Sequence, residues 1–356
     1  MSAEASGTTG PQELGTGNGH DWKIRGQDRV VRELRRAVTV GPRHAYILSG
    51  PAHSGKLSCA TEFAAALLCP NSGDDAIACH ACSICRRIER GVFPDLSIID
   101  LDAQALNEKS QGKNLSLTIS TVRRIGADVS LRPSEAPWRV VIVNDVETMQ
   151  ETAQEAFLKT LEEPPGYVVI VLLTTDADLL LPTILSRCVT LRMGTPSSTV
   201  VKAALVERGV EESRARDIAT LSDGSIGWAV TAATDPSLVE ERARVRTRAR
   251  EWIAAGHYDR LVAATLLADG FVKDREAVFV ELLAAQREWR AILHAVERVD
   301  GDRSPVDFPP AHQAFSSSSV VSSLRSIDVC ITNLEANVRP RLALQTMVGE
   351  WPGSLS

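Results

Sequence analysis

Five short runs of Val, Ile and Leu punctuate the first half of the chain: "HAYILS", "DLSIID", "RVVIVN", "YVVIVLLTT" and "CVTLRM". Consecutive apolar residues over so short a length are what strands buried on both faces require. Helix-like segments separate them, and strands alternating with helices predict an α/β layer built on a largely parallel sheet. One connecting helix is legible residue by residue. In "TMQETAQEAFLKTLEEPPG", Met149, Ala153, Ala156, Phe157, Thr160 and Leu161 fall on one stripe, and Pro164 and Pro165 stop the helix. Beyond "GTPSS" at Gly194 the pattern is helical alone, first a short set to about Ala233, then longer Arg/Ala-rich helices from about Pro236. A low-apolar stretch, "VDGDRSPVDFPPAHQ", reads as a surface loop within them. The expected organisation is a disordered tail over 1–21, an α/β core over 22–193, a small helical lid over 194–233 and an all-α domain over 234–356.

Composition narrows the function classes. With 356 residues, 44% hydrophobic and 24% charged, the chain has material for two or three cored domains. A net charge of −6 argues against a chain that binds phosphate backbones as a whole, so nucleic-acid contact would need a local patch or a partner. No apolar run approaches the roughly 18 residues that span a bilayer. The first twenty residues have neither a basic start nor an apolar segment, so no export signal is expected and a cytoplasmic location is. In such a chain seven cysteines, four of them between Cys69 and Cys85, point to metal rather than disulfides.

Candidate chemistry begins at "SGPAHSGKLS". Gly50, Gly55 and Lys56 complete the frame G-x-x-x-x-G-K between a strand and a helix, the context of a phosphate-binding loop. Glycines let backbone N–H groups face phosphate oxygens, and Lys56 would reach the terminal phosphates. Leu57 then stands where such loops carry a Mg²⁺-binding hydroxyl. The strand "RVVIVND" ends in Asn144 and Asp145, where an active NTPase carries Asp-Glu. An amide brings no negative charge to a metal, and Asp145 is a methylene shorter than a water-polarising glutamate. The expectation is a site that binds nucleotide weakly or not at all and does not turn it over.

Cys69, Cys79, Cys82 and Cys85 form C-x₉-C-x₂-C-x₂-C, a spacing that brings four thiolates onto one tetrahedral Zn²⁺. Four thiolates leave no open position, so the metal would be structural. His80 is a possible substitute ligand expected to point away, and Cys59, Cys188 and Cys330 read as buried packing residues. In "LLTTDADLLLPTILSRC" a strand ends at Thr174 and Thr175, and Ser186, Arg187 and Cys188 open the next one. By itself Arg187 reads as a solvated arginine at a strand entrance.

Taken in order, "HAYILSGPAHSGK", the cysteine knuckle, "FLKTLEEPPG" and "LPTILSRC" resemble the AAA+ subunits of bacterial sliding-clamp loaders. "IRGQDRVVRELRRAV" and "NVRPRLALQTM" resemble that family's opening helix and last collar helix, so the likeness runs from about residue 22 to 350. It implies a P-loop core with an inserted zinc knuckle, a helical lid and an oligomerising collar. It also implies that Arg187 is an arginine finger reaching ATP and Mg²⁺ on a neighbouring subunit, a role suited to a planar, permanently charged guanidinium. The degenerate nucleotide set would be Gly50, Gly55, Lys56, Asn144, Asp145 and Thr175. Leu57, Asn144-Asp145, and Gly227 where motor subunits carry a lid arginine, make the resemblance strongest to the non-hydrolysing delta-prime branch. The implied setting is DNA polymerase III, with gamma/tau motor subunits, a delta subunit, the sliding clamp and primed DNA as partners. Two rival readings are an ATP-hydrolysing motor subunit of the same loader and a zinc knuckle that binds DNA directly through "RRIER".

Overall fold

The computed structural model describes residues 22–101, 103–104, 116–297 and 315–353. The tail over 1–21 and the whole of the loop expected over residues 299–313 lie outside the described residues. The chain divides into two compact units between Thr234 and Asp235.

In the first unit, α1 (Asp28–Val40), β1 (Ala45–Ser49), α2 (Lys56–Leu68), α3 (Ser83–Glu89) and β2 (Leu96–Ile99) are followed by α4 (Ile119–Val129), β3 (Arg139–Val143) and α5 (Glu151–Glu162). β4 (Val168–Thr174), α6 (Pro182–Leu185) and β5 (Val189–Arg192) complete the sheet, and α7 (Ser198–Val206), α8 (Glu212–Ser222) and α9 (Ile226–Thr234) close the unit. All five expected strands form, in the order β2-β3-β4-β1-β5 with every pairing parallel. This is the α/β core with a parallel sheet that the sequence led us to expect. The sheet divides the hydrophobic residues by face. Tyr46, Leu48, Val140, Ile142, Val169 and Val171 pack with α2 and Phe63, while Ile47, Val141, Val143, Ile170 and Leu172 pack with Phe157, Leu161 and Ile125.

The expectation of burial on both faces holds for β1, β3 and β4, which are buried at every position. It fails at both edges of the sheet: β2 is fully buried only at Ile99, and β5 ("CVTLRM") is half-exposed at Leu191 and exposed at Val189, Thr190 and Arg192. Nothing in its composition separates an edge strand from a central one; its place in the order does. The helix read from "TMQETAQEAFLKTLEEPPG" is α5, with Ala153, Phe157 and Leu161 buried as expected.

The second unit is all helix: α10 (Pro236–Ala254), α11 (His257–Gly270), α12 (Arg275–Glu297), α13 (Ser317–Glu335) and α14 (Pro340–Gly349). Its core centres on Trp289 and Trp351, with ring centroids 5.6 Å apart and Trp252 5.0 Å from Trp351. Two charged groups are enclosed with partners. Glu288 accepts from Arg246 and Arg250, and Arg260 donates to the carbonyls of Ile253 and Pro352 with its guanidinium over the Trp351 ring. Among the described residues no helix is long and apolar enough to cross a membrane.

Candidate functional site

Parallel strands carry their carboxyl ends to one edge of the sheet, and that edge is where open α/β sheets bind ligands. Here it collects the segments after β1, β3 and β4, which hold Gly50–Lys56, Asn144–Asp145 and Thr175.

The loop after β1 has the backbone of a cradle. Gly55 sits at φ +88° and starts α2, a conformation that costs a non-glycine residue about 1–2 kcal/mol. A Cβ on Gly50 would lie 2.3 Å from the carbonyl oxygen of Met193, so only glycine fits beside β5. The lysine is turned inward: Lys56 Nζ donates to the carbonyls of Gly50 at 2.6 Å and Pro51 at 2.8 Å. Burial lowers its pKa, and the carboxylates of Glu147 and Asp145 oppose that shift. Leu57, next along α2, is 40% exposed and offers no oxygen.

At the end of β3 the side chains satisfy one another. Asn144 Nδ2 donates to Asp145 Oδ2 at 3.1 Å, and Asp145 takes a left-handed backbone at φ +55°. Thr175 points into the same region, and its hydroxyl and backbone N–H both donate to Glu147 Oε1, at 2.5 and 3.0 Å. Glu147 has no counterpart among the residues anticipated for this site. Its second oxygen is buried without a partner, and its carboxylate faces the lysine electrostatically. The sequence signal was its position, three residues past Asn144 in a turn (Val146–Thr148) that folds back toward β4.

Gln27 is a second residue that motif reasoning missed. Its amide donates to the carbonyls of Gly194 at 2.7 Å and Ser54 at 3.4 Å and accepts from Gly194 N–H at 3.2 Å. One side chain thereby ties the loop after β1 to the segment leading into α7. Gly26 and Gly224 press on that segment too, for a Cβ on Gly224 would meet Thr195 Cγ2 at 2.2 Å and Pro196 O at 2.5 Å.

The four cysteines converge. Their Sγ atoms all lie within 4.8 Å of one another, with 3.6 Å between Cys69 and Cys79 and 4.0 Å between Cys79 and Cys85. A tetrahedron of thiolates at ~2.3 Å from zinc has edges of roughly 3.8 Å, which those distances bracket. No disulfide links them, and the backbone N–H groups of Cys79, Cys82 and Cys85 each donate to the preceding cysteine's sulfur of the set at 3.4–3.5 Å. The N–H groups of Ala81 and Cys82 hold the Cys79 thiol down to about 6, while burial pushes the Cys69 and Cys85 thiols up. This donor set fits a closed Zn²⁺ site. His80 lies apart from it, with Nε2 3.3 Å from Glu62 on α2. The knuckle is tied to the core by Trp22 Nε1 donating to Ala76 O and by Arg35 donating to Asp75 O. Arg87 of "RRIER" is committed to Glu135 and lies 5.0 Å over the Phe93 ring. Cys59 and Cys330 are buried and Cys188 half-buried, and burial raises all three thiols to about 12, as packing residues should be.

Arg187 is not part of this cluster. Arg187 lies in the turn between α6 and β5, two residues before Val189, which pairs with Tyr46 near the start of β1, so it stands at the amino-terminal edge of the sheet. The length of β1, five residues or roughly 17 Å, separates that edge from Gly50. The guanidinium is held by Glu162 Oε1 at 2.9 Å, Thr183 O at 2.9 Å and Ser186 Oγ at 3.4 Å, and remains 35% exposed.

A sequence profile of the family described as "DNA polymerase III, delta subunit" matches residues 26–197. The tau subunit of DNA polymerase III from Salmonella typhimurium is 30% identical over 282 residues, 76% of this chain and 41% of that protein. The delta' subunit from Bacillus subtilis is 30% identical over 220 residues, 62% of this chain and 63% of that protein. The chain thus spans less than two thirds of the length of these curated relatives. A solved gamma-subunit-related protein of Thermotoga maritima aligns at 21% identity with a TM-score of 0.42, over 89% of this chain and 97% of that one. Because tau and delta' subunits both match, the likeness identifies the family and not the branch. Over residues 26–197 this chain belongs to the family of DNA polymerase III clamp-loader subunits.

Proposed function

We propose that the chain is a delta-prime type subunit of the DNA polymerase III clamp loader, a stator that hydrolyses no ATP and lends Arg187 to the site of a neighbouring motor subunit. The observation that carries this reading is Leu57: no hydroxyl follows Lys56, and the side chain in its place is an exposed hydrocarbon. Three further features support it. Lys56 is engaged by its own loop, Thr175 by Glu147, and the amide of Asn144 replaces a carboxylate beside Asp145. The position of Arg187 supports a role in trans, since the opposite edge of the sheet keeps it from its own loop.

In this reading Arg187 donates N–H groups to the γ-phosphate of ATP on the neighbour and stabilises charge developing in transfer, an effect worth ~10³–10⁵ in turnover elsewhere. Cys69, Cys79, Cys82 and Cys85 would hold Zn²⁺, which supplies folding energy to the knuckle and no chemistry. Residues 22–193 act as the core, 194–233 as a lid, and 234–356 as a collar packing beside gamma/tau and delta subunits. The cytoplasmic hetero-oligomer loads the sliding clamp onto primed DNA.

Alone, the full chain is expected to show no Mg²⁺-dependent ATP turnover. Reconstituted with its motor subunits, the Arg187→Ala ring should lose roughly tenfold or more in turnover while still assembling. A vigorous ATPase in the lone chain, abolished by Lys56→Ala, would establish the second reading, a gamma/tau-type motor. The retained Lys56 and the likeness to a tau subunit favour that alternative.

A further inference from the structure

We infer that Glu162 is a positioning residue for Arg187, holding the guanidinium at the rim of the chain before a phosphate arrives. The inference rests on the reading of Arg187 as a group lent to a neighbouring site.

Glu162 is the last residue of α5, Glu163 caps it, and Pro164 and Pro165 prevent its continuation. Carboxylates at a helix C-terminus face the negative end of the macrodipole, so local physics disfavours them there. The structure gives Glu162 a compensating partner, Arg187 Nη2 at 2.9 Å, supplied from twenty-five residues further along the chain. On the other side of the guanidinium, Nη1 donates to Thr183 O at 2.9 Å, within α6, and to Ser186 Oγ at 3.4 Å, which caps that helix. The head group is therefore held from two elements while its side chain stays 35% exposed.

An arginine has many rotamers, and fixing them when the phosphate binds opposes binding. Contacts made beforehand remove part of that cost. A guanidinium has five N–H donors, and the contacts to Thr183, Ser186 and Glu162 use at most three, so donors remain for a phosphate. Glu162 also cannot grip too hard, because an ion pair this exposed is weak and screened by salt.

The test is a cycle of three variants, Glu162→Gln, Arg187→Ala and the double variant, in the reconstituted ring, reading kcat and KM for ATP separately. Positioning predicts that Glu162→Gln lowers kcat about two- to fivefold with KM unchanged, in keeping with one exposed ion pair. In the Arg187→Ala background the same change should have no further effect. If Arg187→Ala lowers turnover but Glu162→Gln leaves or raises it, the positioning role is overturned and the proposed function stands. If Arg187→Ala has no effect, both fall. A second measurement does not depend on the ring. In the isotope-labelled full chain, relaxation of the Arg187 Nε–Hε group should show a restricted side chain that Glu162→Gln frees, and equal mobility in both proteins overturns the inference.

Discussion

Asp95 is fully enclosed and still carries its charge. Burial pushes its carboxyl up, but N–H donors from Ser134, Glu135 and Ala136 and the nearby Arg139 outweigh that and bring it below the usual value. A carboxylate depressed in the folded state contributes stability that is complete above the ordinary aspartate range, near pH 4, and is lost as pH falls through the lower folded value. Asp95→Asn replaces an acceptor by an N–H facing donors, so at pH 7 it should cost about 2–4 kcal/mol. Urea unfolding should show this difference between the two proteins shrinking below pH 4. Glu211 gives a direct check of the same physics at the surface. The Ser213 hydroxyl and the N–H groups of Ser213 and Arg214 hold it to about 2, so its carboxyl resonance should titrate well below that of an ordinary glutamate. The residues missed by motif reasoning, Gln27 and Glu147, also belong to this scale. A glutamine after a glycine and a glutamate in a turn have no spacing that announces their partners, because those partners are a carbonyl far along the chain and a threonine just past the end of β4.

At the scale of elements, the turns between them are where single substitutions should tell most. Gly224 sits at φ +79° against Thr195 and Pro196, so Gly224→Ala combines a disfavoured backbone with an overlap that only movement of the segment can relieve. A loss of about 2–4 kcal/mol in the first unit is expected by chemical denaturation. The knuckle is the other such element. Elemental analysis should find one zinc per chain, and Cys82→Ser should release it and raise amide exchange locally around residues 69–85, leaving β1, β3 and β4 protected. Five strands, the α5 stripe and the cysteine cluster were legible because each is a local pattern of side chains. The exposure of β5 was not, since an edge is a property of strand order, and "CVTLRM" reads the same in the middle of a sheet as at its margin.

For the whole molecule, the division at Thr234 and Asp235 separates two hydrophobic cores. Residues 235–356 expressed alone should fold as a helical unit, checked by circular dichroism and cooperative melting. Arg260→Leu in that fragment should cost about 2–4 kcal/mol, because the carbonyls of Ile253 and Pro352 lose their donor inside the protein.

By itself the sequence determined which runs are strands, which four cysteines meet, and that Leu57 follows Lys56 and an amide, Asn144, precedes Asp145. Those are matters of side-chain identity at fixed spacing. The tertiary structure decided that Lys56 is held by its own loop, that Thr175 is held by Glu147, and that Arg187 stands a strand's length from Gly50 beside Glu162. The first is set by how the loop turns after β1, and the other two are meetings of segments 28 and 25 residues apart in the chain, brought together by the folding of parallel strands.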